Sequence, residues 1–246
     1  MCNKENITAF ENEMKEKLSG SVLTSALDLA AYLESIGIYP DPNDSNWFKY
    51  SSEMIYYFWP GKTLAIYSSN FDLNYDKDDT QKDELLEKYV HSSIGKCLKH
   101  KGCLENPGLS RKIFGKEYSN LCRSTLRLKI PPLKNLPYLK KIAEMRKRDI
   151  DNMPDAKRKL RQDINEMLEY KFKACALDFA DYLYERYELK HIGPKNWEVC
   201  SGDHNLCNIQ LELGKWIITL PNDEKLENPT FGEYDHIKKL MGSLHN

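Results

Sequence analysis

Apolar residues recur at four-residue steps over residues 6–18, where Phe10, Met14 and Leu18 fall on one face, and this spacing predicts a helix. Gly20 interrupts it. A second helix is expected over residues 22–36, with Leu23, Leu27, Ala30, Ala31 and Leu33 on or near one face and Gly37 as its C-terminal cap. Pro40, Pro42, Asn43 and Asp44 have turn chemistry. The aromatic runs 47–50 and 54–59 read as strands, Pro60, Gly61 and Lys62 as a tight turn, and 63–69 as a further strand. An acidic loop over 72–83 leads to a helix near 84–93. Residues 122–130 alternate cleanly, with Cys122, Leu126, Leu128 and Ile130 on one face and Arg123, Arg127 and Lys129 on the other, as a half-buried strand does. Helices are expected at 137–150 and 156–172, separated by Pro154.

The order of elements returns late in the chain. Ala26-Leu27-Asp28 and Tyr32-Leu33 are echoed by Ala176-Leu177-Asp178 and Tyr182-Leu183, and Asn46-Trp47 by Asn196-Trp197, all at one offset. Gly61-Lys62 is echoed by Gly214-Lys215 ahead of a strand at 216–220, and residues 233–244 read as a closing helix matching that of 84–93. The expected architecture is α+β: two tandem related modules, each a small antiparallel sheet with flanking helices, the first larger. The expected domains are residues 1–153, holding a cysteine/histidine segment, and residues 154–246, a connector helix followed by the shorter copy.

Composition narrows the partners. The chain has 246 residues, 30% of them charged and 41% hydrophobic, and a net charge of −1, so no global field draws it to nucleic acid or anionic lipid. The N-terminal residues lack an apolar stretch of signal-peptide length, and no apolar run is long enough to cross a membrane. Seven cysteines without a secretion signal point to reduced thiols in a cytoplasm.

Cys97, His100 and Cys103 are evenly and closely spaced, and Cys122 follows beyond a turn. Thiolates and imidazole in such a set offer zinc a tetrahedron, and four protein ligands leave no open position, so the expected zinc is structural. A weaker cluster is Cys200, His204 and Cys207, where the cysteines flank what composition reads as a hairpin turn. The stretch Arg111-Lys112-Ile113-Phe114-Gly115-Lys116-Glu117-Tyr118-Ser119-Asn120-Leu121-Cys122, with the strand and the basic helix after it, resembles a small bacterial family over residues 25–150. The resemblance implies a cysteine cluster just upstream of this motif, with His100 here at a position that is usually cysteine. It implies no assigned activity.

Trp47, Tyr56, Trp59, Trp197 and Trp216, with Lys116 and Glu117, are the candidate ligand-binding residues, because aromatic side chains on a concave sheet line pockets. The competing reading is core and cross-strand packing. The basic residues between 134 and 161 are interleaved with Glu144, Asp149, Asp151 and Asp155, as on a solvated helix face. No Gly-x-Ser-x-Gly elbow, Walker loop, dinucleotide fingerprint or His-Glu-x-x-His is present. The chain therefore reads as a cytoplasmic, non-enzymatic binding protein for a small molecule or protein partner, with no membrane partner and nucleic acid disfavoured. A metal- or cysteine-dependent enzyme is the alternative, and nucleic-acid binding through the basic connector helices a second one.

Overall fold

A computed structural model of the chain describes residues 2–61, 64–68, 83–94, 109–121, 126–129 and 135–244. The fold is α+β, and the chain divides into two compact units near Asp151/Asn152. The first unit opens with helices α1 (Cys2–Lys17) and α2 (Gly20–Ser35). Strands β1 (Tyr39–Asp41), β2 (Asp44–Tyr50), β3 (Glu53–Pro60) and β4 (Leu64–Ser68) follow. Next come α3 (Glu84–Ser93), the hairpin β5 (Leu109–Ile113) and β6 (Lys116–Leu121), then β7 (Leu126–Lys129) and α4 (Leu136–Asp151). The second unit has α5 (Asp155–Met167), α6 (Tyr170–Arg186), β8 (Glu188–Gly193), β9 (Asn196–Ser201), β10 (His204–Glu212), β11 (Lys215–Thr219), β12 (Lys225–Glu227) and α7 (Phe231–Leu244).

Each unit is built on a five-stranded antiparallel sheet, in the orders β1-β2-β3-β4-β7 and β8-β9-β10-β11-β12. Both units therefore run helix, helix, five strands, helix. The first unit carries one addition between its fourth and fifth strands, residues 69–125, where the second has only residues 220–224. The counterpart of α7 is thus α4. The expected match of residues 84–93 to the closing helix is corrected: α3 belongs to the addition.

The core explains why the helices form where they do. Phe10, Met14 and Leu18 are matched by Leu160, Ile164 and Leu168, always 150 positions on. Ala26, Leu29, Ala30 and Leu33 are matched at the same distance by Ala176, Phe179, Ala180 and Leu183, and all eight are buried. Phe10 meets Phe48 and Phe58 edge-on, each with ring centroids 5.0 Å away, and so fastens α1 to β2 and β3. Two caps mark helix starts chemically. The Asp83 carboxylate accepts the Leu86 amide at 2.9 Å, and Thr230 with Glu233 forms a reciprocal capping box.

The second and third strands match at a distance of 151, and each third strand carries the same bulge. Phe48 pairs with Tyr56 and Lys49 with Met54, leaving Ile55 without a partner in β2. Likewise Val199 pairs with Cys207 and Cys200 with Asn205, leaving Leu206 unmatched in β9. A bulge puts two consecutive side chains inward, and Ile55-Tyr56 and Leu206-Cys207 are buried pairs. This corrects one of the echoes. Asn46-Trp47 and Asn196-Trp197 are one residue out of structural register, so Trp197 faces its core while Trp47 faces outward. Pro40, expected in a loop, lies in the short edge strand β1, where a missing N–H is tolerated.

Two polar contacts recur. Glu13 on α1 accepts from Asn46 Nδ2 at 2.9 Å, and its counterpart Asp163 accepts from Trp197 Nε1 at 3.3 Å. Lys140 lies 3.6 Å from Asp28 and 4.9 Å from the Tyr32 ring centroid, while Lys238 lies 3.8 Å from Asp178 and 4.9 Å from the Tyr182 ring. The repeated Asp and Tyr of the sequence are thus the α2 and α6 halves of a clamp whose lysine comes from the closing helix.

Asp163 is fully buried. Burial opposes its ionisation, but the ammoniums of Lys159, at 2.7 Å, and Lys195, at 2.8 Å, hold its carboxyl below the usual carboxylate range. Removing it leaves the buried indole N–H of Trp197 without an acceptor. Asp163→Ala should cost about 3 kcal/mol in urea denaturation, and Lys140→Ala no more than about 0.5 kcal/mol. Because the folded value is depressed, the Asp163 contribution is complete above the unfolded carboxylate value of roughly 3.9 and is lost as pH falls below it. The acid limb of the unfolding curve should flatten in Asp163→Asn.

Candidate functional site

The candidate ligand residues separate into two groups. Tyr56, Trp197 and Trp216 are fully buried and belong to the two cores. The Tyr56 hydroxyl donates to the Leu139 carbonyl at 2.7 Å, tying β3 to α4. Burial pushes that hydroxyl well above the ordinary tyrosine value, so it stays protonated and donating. These three side chains are enclosed by their own modules.

Trp47 and Trp59 stand on the other face of the first sheet. Tyr57 lies between them, with its ring centroid 5.2 Å from Trp47 and 6.0 Å from Trp59, and Tyr67 continues the row at 6.2 Å from Tyr57. The register makes the row: Trp47 pairs with Tyr57 and Tyr57 with Tyr67 across three strands. Trp47, Tyr57 and Tyr67 are half-buried, and Trp59 is 51% exposed. At the row's end Lys49 pairs with Asp41, and its ammonium lies 5.9 Å from the Trp47 ring centroid. Such a strip offers π-faces to a flat or CH-bearing surface.

The second module shows what this face looks like without aromatics. Its residues at the positions of Trp47, Tyr57, Trp59 and Tyr67 are Glu198, Asn208, Gln210 and Thr219. The scaffold is therefore complete with polar side chains there. The aromatic strip is a property of the first module alone.

Lys116 and Glu117 are exposed at the start of β6. The motif that contains them is a hairpin whose turn, Phe114-Gly115, has φ of 46° and 77°. Positive φ at both central residues is the requirement of a type I′ turn, which Gly115 meets without strain. Sequence spacing gave no sign of the neighbour this hairpin finds: Tyr118 bonds His91 on α3, 27 positions earlier.

Cys97, His100, Cys103 and Cys122, the expected zinc ligands, lie outside the described residues. Among the described residues no group of three or more His, Cys, Asp or Glu side chains is placed to hold a metal. Cys200 and Cys207 are free, buried thiols on adjacent strands, and His204 is exposed beside the hairpin turn. Burial pushes the Cys207 thiol up to about 12, with Cys200 nearby adding to the effect, so it is a protonated core residue at neutral pH. The described basic residues of the connector are paired: Lys157 and Arg161 with Asp181, Lys159 with Asp163, and Lys147 with Asp151.

No family model, curated protein or solved structure matches the chain. No described helix is long and apolar enough to cross a membrane.

The two groups of aromatics should separate experimentally. Trp59→Ala should leave unfolding within about 0.5 kcal/mol of wild type, as exposed positions do, whereas Trp197→Ala should cost roughly 3–5 kcal/mol. Acrylamide should quench Trp59 strongly and Trp197 and Trp216 little.

Proposed function

We propose that the chain is a non-enzymatic binding protein whose recognition surface is the outer face of the first sheet, centred on Trp47, Tyr57, Trp59 and Tyr67. One observation carries this reading. Two modules of the same topology differ on this face, and the aromatic one holds rings where the other holds Glu198, Asn208, Gln210 and Thr219. Aromatic side chains supply large contact area at low conformational cost, which is why they concentrate at binding surfaces. The occupant is a small molecule or partner protein presenting a flat, weakly charged surface. Free Cys175, Cys200 and Cys207 are consistent with a reducing, cytoplasmic setting. The proposed zinc, on Cys97, His100, Cys103 and Cys122, would staple the segment that the first module adds to the shared topology.

The test transfers the second module's chemistry to the first. A Trp47→Glu/Tyr57→Asn/Trp59→Gln variant should keep a cooperative transition, with Tm lowered by no more than about 5 °C. It should lose the stabilisation that a panel of nucleotides, sugars and amino acids, or a purified partner, gives the wild type. A variant that cannot fold would place these rings in a core, and a variant that binds as well as wild type would move the surface elsewhere. For the metal, elemental analysis of protein purified without chelator should find about one zinc per chain, absent in Cys103→Ser.

A further inference from the structure

An open sheet has two edges, and the backbone N–H and C=O groups on the far side of an edge strand can pair with a further strand. β8 is such an edge: it pairs with β9 on one side, and among the described residues no strand lies on the other. The first module treats the same position differently. Its edge strand there is β1, three residues long. Pro40 stands opposite Phe48 as Leu189 stands opposite Val199, the counterpart of Phe48. Proline has no N–H to offer, so the first edge is a poor template. β8 has six residues and no proline. Glu188, Lys190, His191 and Ile192 are exposed along it, and Leu189 alone is buried.

The side chains select a partner. In an antiparallel pair, two residues directly opposite each other both turn their backbone groups toward the neighbour or both turn them away, and these orientations alternate along a strand. Two identical strands related by a two-fold axis therefore pair only in registers that set one residue opposite itself. With Lys190 on the axis, like charges face each other. With Glu188 on the axis, Lys190 faces Arg186. With His191 there, Lys190 faces Ile192. Only with Leu189 on the axis does Glu188 of each copy face Lys190 of the other. The two side chains already lie 3.6 Å apart within one strand, so this register makes an alternating square of four charges. On the opposite face the two Leu189 side chains meet, continuing the buried side of the sheet.

We propose that β8 is a self-association edge: two copies of the chain join it antiparallel about Leu189, and their second sheets become one continuous sheet. The contact is short, about five residues from each copy, and belongs with weak interfaces, with a dissociation constant on the order of 10 µM. It uses no residue of the aromatic strip, so it stands or falls apart from the recognition surface of the first sheet.

Sedimentation equilibrium of the full chain between about 1 µM and 300 µM tests this. Wild type should pass from monomer to dimer over that range. Lys190→Glu and Glu188→Lys each set like charges across the axis, and each should weaken the dimer roughly tenfold or more while unfolding stays cooperative. An equimolar mixture of the two variants recreates both opposite-charge pairs and should form a heterodimer of wild-type affinity. The Trp47→Glu/Tyr57→Asn/Trp59→Gln variant should dimerise as wild type does. A wild-type chain that stays monomeric throughout overturns the proposal. So does a dimer indifferent to both charge reversals, a mixture that fails to associate, or a dimer lost with the aromatic rings.

Discussion

A five-stranded antiparallel sheet has two faces, and among the described residues the hydrophobic core of each module lies against one of them. That constraint organises the molecule. Alternation along β2 and β3 sends Phe48 and Phe58 to Phe10 and the helices, and it sends Trp47, Tyr57 and Trp59 the other way. The covered face is conserved in kind between the modules: Phe10 over Phe48 and Phe58 becomes Leu160 over Val199 and Ile209, smaller groups in the same places. The other face is under no such constraint, and there the modules diverge from rings to a carboxylate, two amides and a hydroxyl.

The polar contacts that hold helix to sheet follow the same division. A carboxylate on the first helix receives a side-chain N–H from the second strand in both modules, but the surroundings differ. Glu13 also pairs with Lys17 at the surface, whereas Asp163 is enclosed and needs Lys159 and Lys195 to stay ionised. Lys195 reaches it from a turn where its φ is 60°, a left-handed conformation costly for a residue with a side chain. Its ammonium bonds to Asp163 and Glu166, both at 2.8 Å, hold it there.

The sequence made α1 and α2 plain, because Phe10, Met14 and Leu18 sit at helical spacing with nothing to compete, whereas the single helix expected over 156–172 divides into α5 and the start of α6 at the extended Leu168 and Glu169. The echo of Asp28 and Tyr32 in Asp178 and Tyr182 was visible too, although its meaning as half of a clamp needed Lys140 and Lys238, which no local spacing ties to it. The strands were harder. One extra residue between the second helix and the second strand of the second module separates Trp197 from the place of Trp47, although both follow an asparagine. The periodicity of residues 54–59 is broken at the bulge at Ile55, so the outward set could not be told from the inward set. The segment between the fourth and fifth strands hid the true partner of α7, since α3 comes first in the chain. His91 and Tyr118 gave no signal for the same reason: contact between remote residues leaves no period.

The connection between the fourth and fifth strands has a use for protein engineering. In the second module it is a tight link over residues 220–224, fastened by Leu220 N to the Glu224 carbonyl at 2.9 Å. In the first, the same junction accommodates a helix and a hairpin while β4 and β7 still pair residue for residue. The corresponding link in the second module is thus a natural splice point, where a reporter or an affinity loop can be grafted with a precedent inside the same polypeptide.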